Sequence, residues 1–213
     1  MPDLHFQIEG AEATSNAATP QIVFKVRIKD QEQKPVHSIA LRAQVQIEPV
    51  RRRYTLQEQE HLKELFGEPE RWSKSLHPLL WTNAIVNVTG FTESILIDVP
   101  VPCTFDFNVA VTKYIYGLEN GELPVALMFS GTVFYAGAAG LQITQIPWDR
   151  EASYRLPLRI WKEMMDLYYP NTAWLSLRRD VFDRLSEFKS HHAIATWEQT
   201  LERLLGLTAA VKS

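Results

Sequence analysis

Residues 22–47 read IVFKVRIKDQEQKPVHSIALRAQVQI, and their periodicity decides the fold class. Ile22, Phe24, Val26 and Ile28 fall on one parity while Lys25, Arg27 and Lys29 fall on the other. Successive side chains of an extended chain point to opposite faces, so this is the pattern of a strand buried on one side only. The turn-like segment Asp30 to Pro35 follows. Ile39, Leu41, Ala43, Val45 and Ile47 then repeat the pattern against Arg42, Gln44, Gln46 and Glu48. Two such runs joined by a short polar turn predict antiparallel strands with one wet face. Working outward toward the N-terminus, Leu4, Phe6 and Ile8 predict a shorter strand, set apart by the small and polar stretch Ala11 to Thr19.

Toward the C-terminus, residues from Arg51 to Pro78 break the alternation. Thr55 followed by Glu58 is a capping-box signature, Leu56, Leu62, Leu65 and Phe66 make an apolar stripe, and Gly67 supplies a left-handed stop. One short helix is therefore expected over Thr55 to Phe66. Strand character returns at Ala84 to Val88 and at Ile95 to Val101, where Pro100 and Pro102 lack ladder donors and point to an edge or a bulge. Phe105, Phe107, Val109 and Val111 alternate with Asp106, Asn108 and Thr112, which predicts a further strand, and Asn120-Gly121 marks a tight turn. Leu123 to Tyr135 is apolar on both parities, as a central strand covered on both faces requires, and Leu141 to Ile146 reads as one more strand. From Pro157 the period changes to that of a helix, with stripes at Leu158, Trp161 and Met165, then at Val181, Phe182, Leu185 and Phe188. A third helix starts at Thr196, where Gln199 completes a capping box.

Strands first and helices after is the order of an α+β domain. The expected architecture is a mainly antiparallel β-sheet or sandwich with one inserted short helix and two to three C-terminal helices. It is read as a single domain: a β-rich part over 1–156 with its helical insertion at about 51–80, and a helical segment over 157–213 packed on it.

Composition narrows the function classes. The 213 residues are 46% apolar and 22% charged, with 22 Lys and Arg against 25 Asp and Glu, so no global basic field draws the chain to nucleic acid or anionic lipid. Cys103 is the sole cysteine, which excludes an internal disulfide, a thiolate zinc cage and an iron–sulfur cluster ligated within this chain. The N-terminal residues lack the charged and apolar regions of a secretory signal, and no apolar run is long enough to span a bilayer. A cytoplasmic location is expected, with neither nucleic acid nor membrane as partner.

Constellations for catalysis are incomplete. The glycines fit neither a phosphate loop nor a dinucleotide fingerprint. None of the six histidines forms a helical i, i+4 pair, and the adjacent His191 and His192 would point about 100° apart on a helix. Cys103, between Pro102 and Thr104, reads as a small packed hydrophobe, and Asp106 with Asn108 as an exposed sheet face. No catalytic residue, cofactor or metal is assigned.

Two features invite a partner instead. Arg51, Arg52 and Arg53, directly before Tyr54, place three cations at the end of a strand, suited to a carboxylate, a phosphate or an acidic peptide. The competing reading pairs them internally with Glu48, Glu58 and Glu60. Six tryptophans, at 72, 81, 148, 161, 174 and 197, read as lying in or beside loops and helices, where they anchor an interface or pin helices to a sheet. The candidate partner-binding set is Arg51, Arg52, Arg53, Tyr54, Trp72 and Trp81.

The segments Gln46-Ile47-Glu48-Pro49 to Tyr54, Leu65-Phe66-Gly67 with Arg71-Trp72, Leu79-Leu80-Trp81-Thr82, Val101-Pro102-Cys103-Thr104-Phe105-Asp106, Phe129-Ser130-Gly131-Thr132, Ile146-Pro147-Trp148, Met165-Asp166 with Tyr169-Pro170, and Thr196-Trp197-Glu198 together resemble an uncharacterised bacterial domain family associated with nickel–iron hydrogenase gene clusters. That resemblance implies a hydrogenase subunit or maturation factor as partner, and no catalytic residues. A second resemblance, of Leu175-Ser176-Leu177 and Asp180 to Leu185, is to the secretion chaperone family SecB, and implies a chaperone-like groove. The function expected is a non-enzymatic binding or assembly protein. The alternatives are an enzyme with a dispersed active site and a structural homo-oligomer built on an exposed sheet edge.

Overall fold

A computed structural model describes residues 1–15, 17–103, 109–138, 140–172, 175 and 177–211. In chain order the strands and helices are β1 (Leu4–Ala13), β2 (Gln21–Asp30), β3 (Val36–Ile47), α1 (Leu56–Phe66), α2 (Trp72–Ser75), β4 (Leu79–Val88), β5 (Ser94–Pro102) and α3 (Val109–Tyr116). They continue with β6 (Glu122–Gly137), β7 (Gly140–Gln145), β8 (Glu151–Pro157), α4 (Leu158–Tyr168), α5 (Arg179–His191) and α6 (Trp197–Val211). Short 3-10 turns at Pro49–Arg51 and Pro69–Arg71 precede α1 and α2.

The strands form two antiparallel sheets, one ordered β1-β2-β5 and the other β4-β3-β6-β7, with β8 also on β6. The chain changes sheet after β2, after β4 and after β5, so this is a Greek-key sandwich of the immunoglobulin type by strand order. Its core lies where the alternation placed it. Ile22, Phe24, Val26 and Ile28 of β2 and Ile39, Leu41, Ala43, Val45 and Ile47 of β3 are all buried, each large side chain contributing about 1.5–3 kcal/mol on burial. Phe6 of β1 and Phe129 of β6 stack across the core with ring centroids 4.2 Å apart.

Strand β6 is the spine of the larger sheet, as its two-sided apolar run predicts. One edge pairs along β3; the other carries β8 over Glu122 to Met128 and β7 over Thr132 to Gly137. Between those partners stands Gly131 at φ +143, where a Cβ would collide with the Ala40 carbonyl oxygen. Only glycine lets β3 approach so closely there. Pro100 and Pro102 lie on β5, an edge strand.

The insertion between β3 and β4 contains α1, with its capping box formed by Thr55 and Glu58 and its end at Gly67, φ +76. Two expectations are corrected here. Residues 109–111, expected in a strand, begin helix α3, which packs on α1. Val111, Tyr114 and Ile115 are its buried face, a helical spacing that the alternation of Val109 and Val111 concealed, and Leu118 just beyond the helix is buried as well. The rest of that expected strand, including Phe105, Asp106, Phe107 and Asn108, lies outside the described residues. Trp81, expected in a loop or helix, belongs to β4, and Trp174 also lies outside the described residues.

The chain divides into two compact units, Met1–Asn171 and Thr172–Ser213. Helix α4 belongs to the first, where Leu158, Trp161 and Met164 are buried and the Tyr168 hydroxyl donates to the Thr14 carbonyl at 2.7 Å. The second is a hairpin of α5 and α6. Phe182 packs on Trp197 with centroids 5.3 Å apart, and the Thr196 hydroxyl caps α6 by accepting from the Gln199 amide at 3.2 Å.

Candidate functional site

The six residues singled out from the sequence do not share one surface. Arg52 turns inward, its side chain 9% exposed, and donates to Glu58 Oε1 at 2.5 Å and to the Glu122 and Asn120 carbonyls at 2.6 Å each. Tyr54 is half-buried; its hydroxyl donates to the Pro49 carbonyl and meets the Tyr114 hydroxyl, both at 2.7 Å. Trp72 is buried against Tyr54 and Phe66, with its indole N–H donating to the Gly67 carbonyl at 2.8 Å. Trp81 is buried beside Trp161, centroids 6.0 Å apart. These four pin the insertion and α4 to the sandwich. Arg51 and Arg53 remain exposed.

Electrostatics agree with that division. Burial pushes the Glu58 carboxyl up, but the amides of Glu119 and Thr55 and the guanidinium of Arg52 outweigh it and hold the group below the ordinary glutamate value. Burial raises the Tyr54 phenol to about 12 and pushes Tyr114 up as well. Cys103 is buried, its thiol raised to about 12 by desolvation, so it is a packed side chain without thiolate character. Among the described residues no group of three His, Cys, Asp or Glu is placed to hold a metal ion.

A cleft of about 280 Å³ opens beside the end of β3, floored by Pro124 and Val125 of β6 and walled by Glu48, Arg51, Ser153, Tyr154 and Arg155. The 3-10 turn that follows β3 carries Arg51 over β8, where Nη1 lies 3.0 Å from Glu48 Oε2 and donates to Ser153 Oγ at 3.3 Å. The buried Glu48 Oε2 receives no well-aligned hydrogen bond despite that proximity. Arg155 is exposed, and no ion pair engages it among the described residues. Two guanidiniums, one hydroxyl and one under-satisfied carboxylate oxygen thus converge on one concavity. That set suits a ligand presenting a carboxylate to the arginines and an N–H or O–H to Glu48.

Ser153 and Arg155 were missed in the sequence. Their signal was present, since Ala152, Tyr154 and Leu156 alternate with them, but nothing local places them beside Arg51, 102 residues before Ser153.

Fold and site together define an antiparallel β-sandwich protein with a small charged cleft at one end of its larger sheet. The chain belongs to a family of unknown function, DUF6084, matched over residues 1–213. That family description assigns no activity and lends no support to a hydrogenase connection or to the SecB likeness. No curated protein matches the chain. Among solved structures, the CARDB domain of a Pyrococcus furiosus protein in complex with di-metal ions is 11% identical with a TM-score of 0.29, covering 73% of this chain and 92% of that one. A β-glucosidase from Kluyveromyces marxianus is 12% identical with a TM-score of 0.30, covering 72% of this chain and 15% of the enzyme. A putative ApaA protein from Bordetella pertussis is 11% identical with a TM-score of 0.24, over 73% and 94% of the two chains. No helix among the described residues is long and apolar enough to cross a membrane.

Proposed function

We propose that this is a non-enzymatic binding or assembly protein of the cytoplasm, whose cleft takes an acidic or C-terminal carboxylate segment of a partner protein. The observation that supports this reading is Arg155, an exposed guanidinium that no ion pair engages among the described residues, lining the same concavity as Arg51 and Glu48. A planar guanidinium matches a carboxylate through two parallel hydrogen bonds, and a terminal peptide N–H beside it would satisfy Glu48. Trp72 and Trp81 are buried and take no part in this partner surface. The resemblance to a hydrogenase-associated family makes a nickel–iron hydrogenase subunit or maturation factor the first partner to test.

The test is an array of short peptides of those candidate partners, each with a free and an amidated C-terminus, read by fluorescence polarisation. Binding that prefers the free carboxylate, weakens with salt and falls about tenfold or more in Arg155→Ser and Arg51→Ser supports the reading. Equal binding of acid and amide forms, or full binding by both variants, overturns it.

A further inference from the structure

Two open sheets leave edges that a soluble protein has to guard. Strand β1 carries Glu9 and Glu12 and a register break between Ile8 and Gly10; β5 carries Asp98 and Pro100; β8 carries Glu151 and Arg155 and has β1 packed alongside. Strand β4 has no charge, but β5 and α3 pack against it. Strand β7 has none of these devices. Its sequence from Gly140 to Gln145 holds no charge and no proline, and every residue except the half-buried Thr144 is exposed, with Leu141 at 63% and Ile143 at 61%. The register fixes which backbone groups are free. The Ile146 amide donates to the Gly131 carbonyl at 2.9 Å, so by alternation the amides and carbonyls of Leu141, Ile143 and Gln145 point away from β6.

We infer that a second copy of this chain pairs antiparallel along the β7 edge, joining the larger sheets of two molecules. Two-fold pairing sets a strand against itself, so any charged residue would lie near its own copy; β7 has none and meets no like-charge repulsion. With Ile143 on the axis, Leu141 lies opposite Gln145, and the outward residues exchange about six hydrogen bonds. The closed two-fold consumes both edges, so assembly stops at the dimer. A foreign peptide added to this edge would need pockets for its alternate side chains, and the cleft described above lies toward the other end of β6. The interface is short, which places it among weak associations.

Sedimentation velocity on the full chain from about 1 to 200 µM, a range suited to a weak interface, reads the outcome. The expected result is a shift with concentration from the 24.5 kDa monomer toward twice that mass. Ile143→Lys places two lysines at the axis and is expected to abolish the shift, whereas Ile85→Lys, on exposed β4 surface, leaves it intact. A second variant stands apart from any folding defect. Hydrogen-bonded antiparallel pairs hold their Cα atoms about 5.5 Å apart, within disulfide reach, so Ile143→Cys is expected to form a cross-linked dimer on mild oxidation. The native Cys103 is buried and does not compete. A wild-type chain that stays monomeric throughout overturns the inference, as does a dimer that survives Ile143→Lys or leaves Ile143→Cys uncross-linked. Loss of peptide binding at the cleft with the dimer intact would instead be a failure of the functional proposal alone.

Discussion

Arg52 and Glu58, six residues apart on either side of the α1 cap, form an ion pair at 2.5 Å with side chains only 9% and 2% exposed. The same Glu58 accepts from the Thr55 and Glu119 amides, while Arg52 donates to the Asn120 and Glu122 carbonyls. One buried pair therefore ties the inserted helix to the turn that starts β6, where Gly121 at φ +91 leaves room for the guanidinium.

Removing one partner strands the other in the interior. Glu58→Ala is expected to destabilise the fold by about 3 kcal/mol, the lower end for a broken buried pair because Arg52 keeps its two carbonyls. The folded carboxyl lies below its ordinary value, so its contribution is present above the unfolded glutamate pKa of about 4.3 and is lost as pH falls through the folded value. Urea midpoints measured from pH 7 downward should fall more steeply below about pH 4.3 for wild type than for Glu58→Gln.

The hydroxyls of Tyr54 and Tyr114 give an asymmetric pair of mutants. Tyr54 donates to Pro49, so Tyr114 supplies the proton between the two phenols. Tyr54→Phe leaves the fully buried Tyr114 hydroxyl without its acceptor and should cost about 1–3 kcal/mol; Tyr114→Phe leaves Tyr54 still bonded to Pro49 and should cost about 0.5–1.5 kcal/mol. Denaturant titration of both variants checks the order.

Both phenols titrate above the ordinary tyrosine value, Tyr54 at about 12, so the stability they support is complete below about pH 10 and drains away as pH rises through the folded values. Native-state absorbance at 295 nm should show these two phenols still protonated at pH 11, where exposed tyrosines have ionised. Full ionisation of all tyrosines by pH 11 in a folded sample would contradict this.

Cys103 should resist an aromatic disulfide reagent at pH 8 in the native protein and react once in denaturant, since it is buried and its thiol is raised to about 12. Stopped-flow release of the chromophore distinguishes the two.

Gly131→Ala should be among the most damaging single changes, with a loss of about 3 kcal/mol or more from positive φ together with overpacking against the Ala40 carbonyl. Gly140→Ala meets open space and carries only the conformational penalty, about 1–2 kcal/mol. Thermal unfolding of the two variants tests that ranking.

Periodicity and capping are properties of adjacent residues, which is why so much of the fold was legible. The alternation of Ile22 to Ile28 and Ile39 to Ile47, the two-sided apolar run of β6, and the Thr55–Glu58 and Thr196–Gln199 caps each fixed an element from local chemistry alone. Helix α3 was misread because Val109 and Val111, two apart, extend the strand-like alternation of the residues before them and mask the helical spacing of Val111, Tyr114 and Ile115, the face beside which α1 packs. The fate of the three arginines was a tertiary decision: Arg52 finds Glu58 and the carbonyls of the Asn120 turn, while Arg51 meets Ser153 on a strand 102 residues away. The sequence by itself determined most of the strands, the capped helices and the alternating core positions, since those depend on spacing along the chain. Which cations are consumed inside and which face the cleft, and which sheet edge is left bare, depended on strand order, because electrostatic pairing and hydrogen bonding act through space between segments that the sequence holds far apart.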